Sequence, residues 1–188
     1  MLTLKVDHDI ELRLLQIQDS SQLFQLVDHN REHLKKWLPW VDNIYSPLQY
    51  HSIIPSWLKQ FADHNGFHAG IHYKNKLAGV ISLHSIDWHN KQTSIGYYLG
   101  KGFEGKGLMT KSVQAVLNYI FFHLRLHRAE IRCGEFNKKS RAVPERLGFK
   151  REGLIRDGEY LYDHYHDLVI YGILYNEWLQ RKEYLLKN

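Results

Sequence analysis

The residues Phe103-Glu104-Gly105-Lys106-Gly107-Leu108-Met109-Thr110 combine two closely spaced glycines, a lysine and the start of an apolar-striped segment. Upstream, Thr93, Ile95, Tyr97 and Leu99 alternate with Ser94, Gly96 and Tyr98, the period of a strand. Downstream, Met109, Val113, Val116, Leu117 and Ile120 recur three and four apart, as one helix face requires. A glycine-rich turn between strand and helix leaves backbone N–H groups unpaired at the positive end of the helix dipole. Such donors suit a phosphate or pyrophosphate. Gly105 and Gly107 let the backbone approach the anion without a Cβ in the way, and Lys106 adds positive charge. Two other phosphate loops are excluded by spacing. The dinucleotide fingerprint G-x-G-x-x-G does not fit. In the triphosphate pattern G-x-x-x-x-G-K-[ST], Leu108 stands where the lysine must be.

About thirty residues beyond, a strand-like run Arg128-Ala129-Glu130-Ile131-Arg132-Cys133 leads into Glu135-Phe136-Asn137-Lys138-Lys139-Ser140-Arg141. Then follows Glu145-Arg146-Leu147-Gly148-Phe149-Lys150-Arg151-Glu152-Gly153. With the glycine loop, this order resembles the GNAT acetyltransferase superfamily, whose loop reads Q/R-x-x-G-x-G/A. Here that register falls on Glu104-x-x-Gly107-x-Met109, so an acid replaces the usual Gln or Arg and a long thioether replaces the small residue. The later segment resembles the family's strand, Asn-x-x-Ser helix start and Gly-Phe-x-x-x-Gly return strand. Near the N-terminus, Arg31-Glu32-His33-Leu34-Lys35-Lys36-Trp37-Leu38-Pro39-Trp40 resembles the substrate-side segment of ribosomal-protein N-terminal acetyltransferases of the RimL/RimJ type. The likeness spans roughly residues 8 to 180.

The resemblance implies an α/β (α+β) GNAT-like fold. Its sheet would be mixed and mostly antiparallel, with about seven strands, splayed central parallel strands and flanking helices. Acetyl-CoA would be the cosubstrate. Its pyrophosphate would sit on Gly105, Lys106, Gly107, Leu108, Met109 and Thr110, and its pantetheine arm on the backbone of Tyr97, Tyr98 and Leu99, with Asn137 bonding the arm. Acetyl transfer to an amine needs a group to take a proton from the amine and one to protonate the departing sulfur. The likeness assigns the first role to Glu159, at the opening of the last strand, and the second to Ser140. Ser140 as a plain helix N-cap and Glu159 as a solvated turn residue remain the plainer readings. Tyr97 and Tyr98 are second-choice acids, and Cys133 offers a covalent route. Trp37, Trp40 and Tyr45 would wall the acceptor side.

Around these residues the periodicities predict one α/β unit over 1–188. A strand carries Leu12 and Leu14, and a helix begins near Asp19. A second helix buries Ile53, Ile54, Trp57, Leu58 and Phe61. Strands at 67–73, 76–86 and 92–99 form an antiparallel meander. After the long helix come a strand at 128–133, a short helix at 140–147, and paired strands at 149–156 and 160–174 turning at Asp157-Gly158. Residues 175–186 read as helix.

Composition narrows the function classes. With 44% hydrophobic and 24% charged residues the chain is globular. No run of 18 apolar residues suggests a membrane span, and Met1 to Asp9 lack a signal-peptide pattern. The one cysteine, Cys133, excludes an internal disulfide. These features point to the cytoplasm. The formal charge of +5 and pI near 9.2 come from dispersed basic residues, without a nucleic-acid-binding motif. The thirteen histidines, including His164 and His166, lack a ligand set with cysteines or carboxylates, so no metal is expected. Together with these bounds, the resemblance implies direct acetyl transfer to a protein N-terminal amine, ribosomal above all, by a homo-oligomer. The alternatives are acetylation of a polyamine or aminoglycoside, and a non-catalytic module binding CoA or RNA.

Overall fold

The computed structural model describes residues 2–187. The first strands are β1 (Thr3–Lys5) and β2 (Ile10–Leu14). In β2, Ile10, Leu12 and Leu14 are buried while Arg13 between them is exposed, which is the two-residue period of a half-buried strand. Helices α1 (Ser20–Asp28), α2 (Arg31–Leu34) and α3 (Tyr50–Ala62) follow. The meander is β3 (Phe67–Tyr73), β4 (Lys76–Leu83) and β5 (Gln92–Leu99). Next come α4 (Leu108–Asn118), lengthened by a π-helical turn over Tyr119–His123, and β6 (Arg128–Gly134). The chain closes with α5 (Lys138–Leu147), β7 (Lys150–Leu161), β8 (His164–Leu174) and α6 (Tyr175–Lys187).

Eight strands form one sheet in the order β1-β2-β3-β4-β5-β6-β8-β7. The expected count of about seven missed β1, whose three residues are too few to show a period. Every neighbouring pair is antiparallel except β5 and β6. One face carries the larger core, where Val113, Val116 and Leu117 of α4 and Trp178 of α6 share a cluster with Ile95, Ile131, Tyr171 and Ile173. The opposite face is covered by α1 and α3, through Leu23, Val27, Tyr50 and Ile54 around Val80. Apolar burial on both faces fixes each strand's register, because a one-residue slip would turn every side chain to the wrong side.

The strand expected over 76–86 stops at Leu83, and two further boundary differences bear on the site. The turn between the last strands is Tyr162-Asp163, not Asp157-Gly158. Asp157 and Gly158 lie inside β7, where the register shifts between Ile155 and Glu159. Asp157 has φ +49°, and its N–H donates to the Asp167 carboxylate at 2.8 Å. Asp-Gly is a strong local hairpin signal, but tertiary contacts override it. The Tyr162 hydroxyl donates to the Leu38 carbonyl at 2.6 Å and accepts from the Val41 N–H at 3.1 Å, pinning the hairpin tip to the loop after α2. The second difference is the start of α5 at Lys138, with Asn137 as its N-cap accepting from the Ser140 N–H at 3.2 Å. Ser140 is therefore not the cap. Pro144 is buried in the helix's second half.

Candidate active site

The site begins where two strands part. β5 and β6 run parallel but pair only at Gln92–Arg128, Thr93–Ala129 and Ser94–Glu130. Beyond Ser94 they diverge, while β5 stays paired to β4 and β6 to β8. The His84 N–H donates to the Ser94 carbonyl, and the Gly100 N–H to the Ala78 carbonyl. Backbone groups alternate along a strand, so those of Gly96 and Tyr98 also face β4, and those of Ile95, Tyr97 and Leu99 face the opening. An extended polar arm can pair with that exposed edge, as a pantetheine arm would. Of the three residues read as arm contacts, Tyr97 and Leu99 present their backbone there. Tyr98 does not.

Above the opening lies the glycine loop. Gly105 and Gly107 both have φ +74°, a conformation that side chains disfavour, and a Cβ at either would meet no protein atom within 4 Å. Their lack of side chains therefore answers to backbone conformation and to approach from outside, not to internal crowding. The helix ladder of α4 starts with the Lys111 N–H on the Gly107 carbonyl, at 3.1 Å. The N–H groups of Leu108, Met109 and Thr110 then have no acceptor within the helix and converge at its N-terminus. Leu108 and Met109 point their side chains into the core, which accommodates the unexpected thioether. Lys106 folds back, its Nζ donating to the Gly102 carbonyl at 3.0 Å. The acid at 104 is neutralised locally. Its carboxylate meets Lys139 Nζ of α5 at 2.6 Å and His33 Nε2 of α2 at 3.1 Å, tying the loop to both helices. Such a cradle of unpaired backbone donors is suited to a diphosphate.

On the α4–α5 face, Ser140, Tyr97 and Cys133 come together. The Ser140 hydroxyl donates to Cys133 Sγ at 3.2 Å, and Tyr97 hydroxyl lies 4.0 Å from the same sulfur. The Tyr97 hydroxyl also donates to the Ser140 carbonyl at 2.9 Å. Burial pushes the Tyr97 phenol well above its ordinary pKa and pushes the Cys133 thiol up as well. A protonated, buried thiol is a poor nucleophile, which argues against the covalent route. Tyr98 points to the other face and packs on Trp40 with ring centroids 5.5 Å apart.

That second face holds Glu159. It pairs across β7 and β8 with His166 rather than opening a strand, and its carboxylate Oε2 lies 2.9 Å from His166 Nε2. Trp37 leans on the His166 ring at 6.5 Å between centroids. Tyr45 is not gathered in; it is 76% exposed. His166 is the residue that the sequence reading passed over as one half of a poor metal motif. Only its position opposite Glu159, seven residues away across the β7–β8 pair, gives it a partner. Because Cys133 and Gly134 are consecutive in β6, their neighbours lie on opposite faces of the sheet. Ser140 and Tyr97 thus stand on one side of the opening, and Glu159, His166 and Trp37 on the other.

This splayed, glycine-capped arrangement defines an acetyltransferase of the GNAT class, and comparison with known proteins agrees. Residues 9–150 match the Acetyltransferase (GNAT) domain family, and the chain belongs to it. It is an N-acetyltransferase. It is 45% identical over 179 residues to YdaF of Bacillus subtilis (strain 168), whose name suggests a ribosomal N-acetyltransferase, with 95% of this chain and 98% of that protein covered. A solved structure of RimL, the ribosomal L7/L12 α-N-protein acetyltransferase, holds coenzyme A in a disulfide with one of its cysteines. It superposes with TM-score 0.89 at 29% identity, covering 92% of this chain and 98% of that one. The microcin C7 self-immunity acetyltransferase MccE, solved with acetyl-CoA and AMP, gives TM-score 0.87 at 30% identity over 90% of this chain and 94% of that one.

Proposed function

We propose that this chain transfers an acetyl group directly from acetyl-CoA to the N-terminal amine of a protein, a ribosomal protein being the acceptor class best supported. The observation that carries this reading is the opening between β5 and β6, with a carboxylate on one face and a hydroxyl beside a sulfur on the other. Acetyl-CoA supplies the activated acyl group. The cradle of Gly105 to Thr110 binds the diphosphate, and the β5 edge at Tyr97 and Leu99 aligns the arm. Glu159 supplies the carboxylate of the base, Ser140 protonates the departing sulfur, and Asn137 holds the helix that carries Ser140. On the acceptor face, Trp37 and Trp40 offer aromatic surface to a peptide terminus. The RimL resemblance favours a peptide, and the ribosomal name of YdaF points the same way.

The chain acts as one N-acetyltransferase domain over 1–188, as a cytoplasmic homo-oligomer, without a metal and without binding nucleic acid directly. Among the described residues no helix is long and apolar enough to cross a membrane. A small amine is the second reading; the similar MccE, solved with acetyl-CoA and AMP, shows this fold holding a small molecule beside the cosubstrate. Incubating the protein with isotope-labelled acetyl-CoA and a ribosomal-protein extract, then sequencing labelled peptides by mass spectrometry, tests the proposal. Label on protein N-termini supports it; label confined to added polyamine or aminoglycoside refutes it.

A further inference from the structure

Two titratable side chains, Glu159 and His166, meet on the acceptor face. The His166 side chain is 11% exposed and that of Glu159 34%, so the imidazole is the more enclosed of the pair. The bulge in β7 sets their meeting. Ile155 pairs with Leu168 and Glu159 with His166, so β7 spends two more residues than β8 over this stretch. An even excess keeps Glu159 on the same face as Ile155, looking at His166.

The ring's place is set by Gly134, the last residue of β6. A Cβ there would stand 2.8 Å from His166 Cε1, 2.9 Å from Nδ1, and 3.3 Å from a ring carbon of Trp37. With only hydrogen at that position, the imidazole lies over the strand end where β6 has parted from β5. Glu159 is displaced from that point by the length of the ring it holds. An ionised carboxylate only accepts hydrogen bonds. Bonded to Glu159, Nε2 therefore carries the proton in the neutral ring, and Nδ1 is left with a lone pair. Among the described residues the ring's one hydrogen bond is that to Glu159. A base oriented by a carboxylate on its far nitrogen is the arrangement that activates hydrolytic triads.

Resting on the acetyl-transfer reading, we infer that His166 Nδ1 takes the proton from the attacking amine, with Glu159 acting through it as the residue that sets its tautomer. The neutral amine's lone pair forms the C–N bond to the acetyl carbon, and its N–H proton passes to Nδ1. The C–S bond breaks with its electron pair on sulfur, which takes the Ser140 hydroxyl proton. Water restores the proton to Ser140 and removes the one on His166. The sum is amine plus thioester giving amide plus thiol. Glu159 meanwhile stabilises the transient imidazolium.

The test compares His166→Gln, Glu159→Gln and the double variant. His166→Gln lowers kcat by about 10²–10⁴-fold, leaving KM for acetyl-CoA and the CoA-induced rise in Tm as in wild type. Glu159→Gln loses a similar factor, and the double variant loses no more than the worse single change, because the two act as one unit. Added imidazole restores turnover to His166→Ala but not to Glu159→Gln. Nitrogen-15 NMR of the free wild-type enzyme at neutral pH gives a readout without turnover: the ring proton sits on Nε2, and a proton on Nδ1 in the neutral ring overturns the inference. So does His166→Gln turning over within about threefold of wild type while Glu159→Gln is crippled, a result that leaves the acetyl-transfer reading intact. If both single variants keep full turnover, Glu159 loses its role as well, and if wild type acetylates no amine, the parent reading falls.

Discussion

Ser140 is held at every polar atom it owns. Its N–H donates to Asn137, its hydroxyl to Cys133 Sγ, and its carbonyl accepts from the Tyr97 hydroxyl at 2.9 Å. That last bond has a cause in the chain. The residue four positions on is Pro144, which has no N–H to close the helix ladder onto the Ser140 carbonyl. Tyr97 takes the missing donor's place and so couples β5 to α5 at the proposed reacting centre. Ser140→Ala keeps this backbone arrangement and removes only the hydroxyl. The expected outcome is turnover lower by about 10²-fold with the CoA-induced Tm shift retained; equal turnover would leave Ser140 only a place in the helix. The Asn137-x-x-Ser140 spacing was readable because it is local, while the roles given to both residues came from the family likeness. Glu159 was legible only through the family likeness, and its assignment to the start of a strand was wrong. His166 was not legible at all, since a histidine is marked as functional by its neighbours, and its neighbours Glu159, Gly134 and Trp37 come from three separate parts of the chain.

The elements repeat that division between local and distant causes. The strand, glycine loop and α4 could be read directly because each carries its own signal: alternation, positive-φ glycines, and the three-and-four spacing of Met109, Val113, Val116 and Leu117. Gly107→Val tests the loop. At φ +74° a β-branched residue is strained by about 1–2 kcal/mol, and its side chain would project where the diphosphate approaches. Calorimetric melting with and without CoA should show a rise in Tm for wild type and none for the variant. Gly102→Ala is the control, with ordinary backbone and open space around it, and should respond as wild type does. Equal CoA stabilisation of Gly107→Val would remove the loop from the binding site. The β7–β8 hairpin was misread for the opposite reason. Asp157-Gly158 has the better turn chemistry, but the hydrogen bonds of Tyr162 to Leu38 and Val41 are long-range and decide where the chain reverses. The same bonds tether the loop that carries Trp37 and Trp40 to the strand pair that carries Glu159 and His166.

At the scale of the molecule, the sheet separates two cores and the two halves of the proposed reaction. The parallel contact of β5 and β6 was foreseen from the family likeness, whereas β1 was not, being too short to declare itself. The core between the sheet and α3 also carries an acid-sensitive point. His68 is stacked on Trp57 at 4.3 Å and bonded to Ser82, and burial pulls its pKa from 6.5 down to about 4. Between those values the unfolded chain binds the proton and the folded chain does not. Stability is therefore fully present above about pH 6.5 and falls as pH drops toward about 4. Urea unfolding at about pH 7 and about pH 5 should show that loss in wild type and a smaller one in His68→Gln; an equal loss in both would place the sensitivity elsewhere. The acceptor amine itself can be tested directly. A synthetic peptide copying a ribosomal-protein N-terminus and containing an internal lysine should be incubated with acetyl-CoA, beside the same peptide with a blocked N-terminus. Tandem mass spectrometry should place one acetyl group on the α-amine of the free peptide and none on the blocked one. Acetylation of the lysine side chain in both peptides, or of added spermidine in preference to either, would contradict transfer to the α-amine.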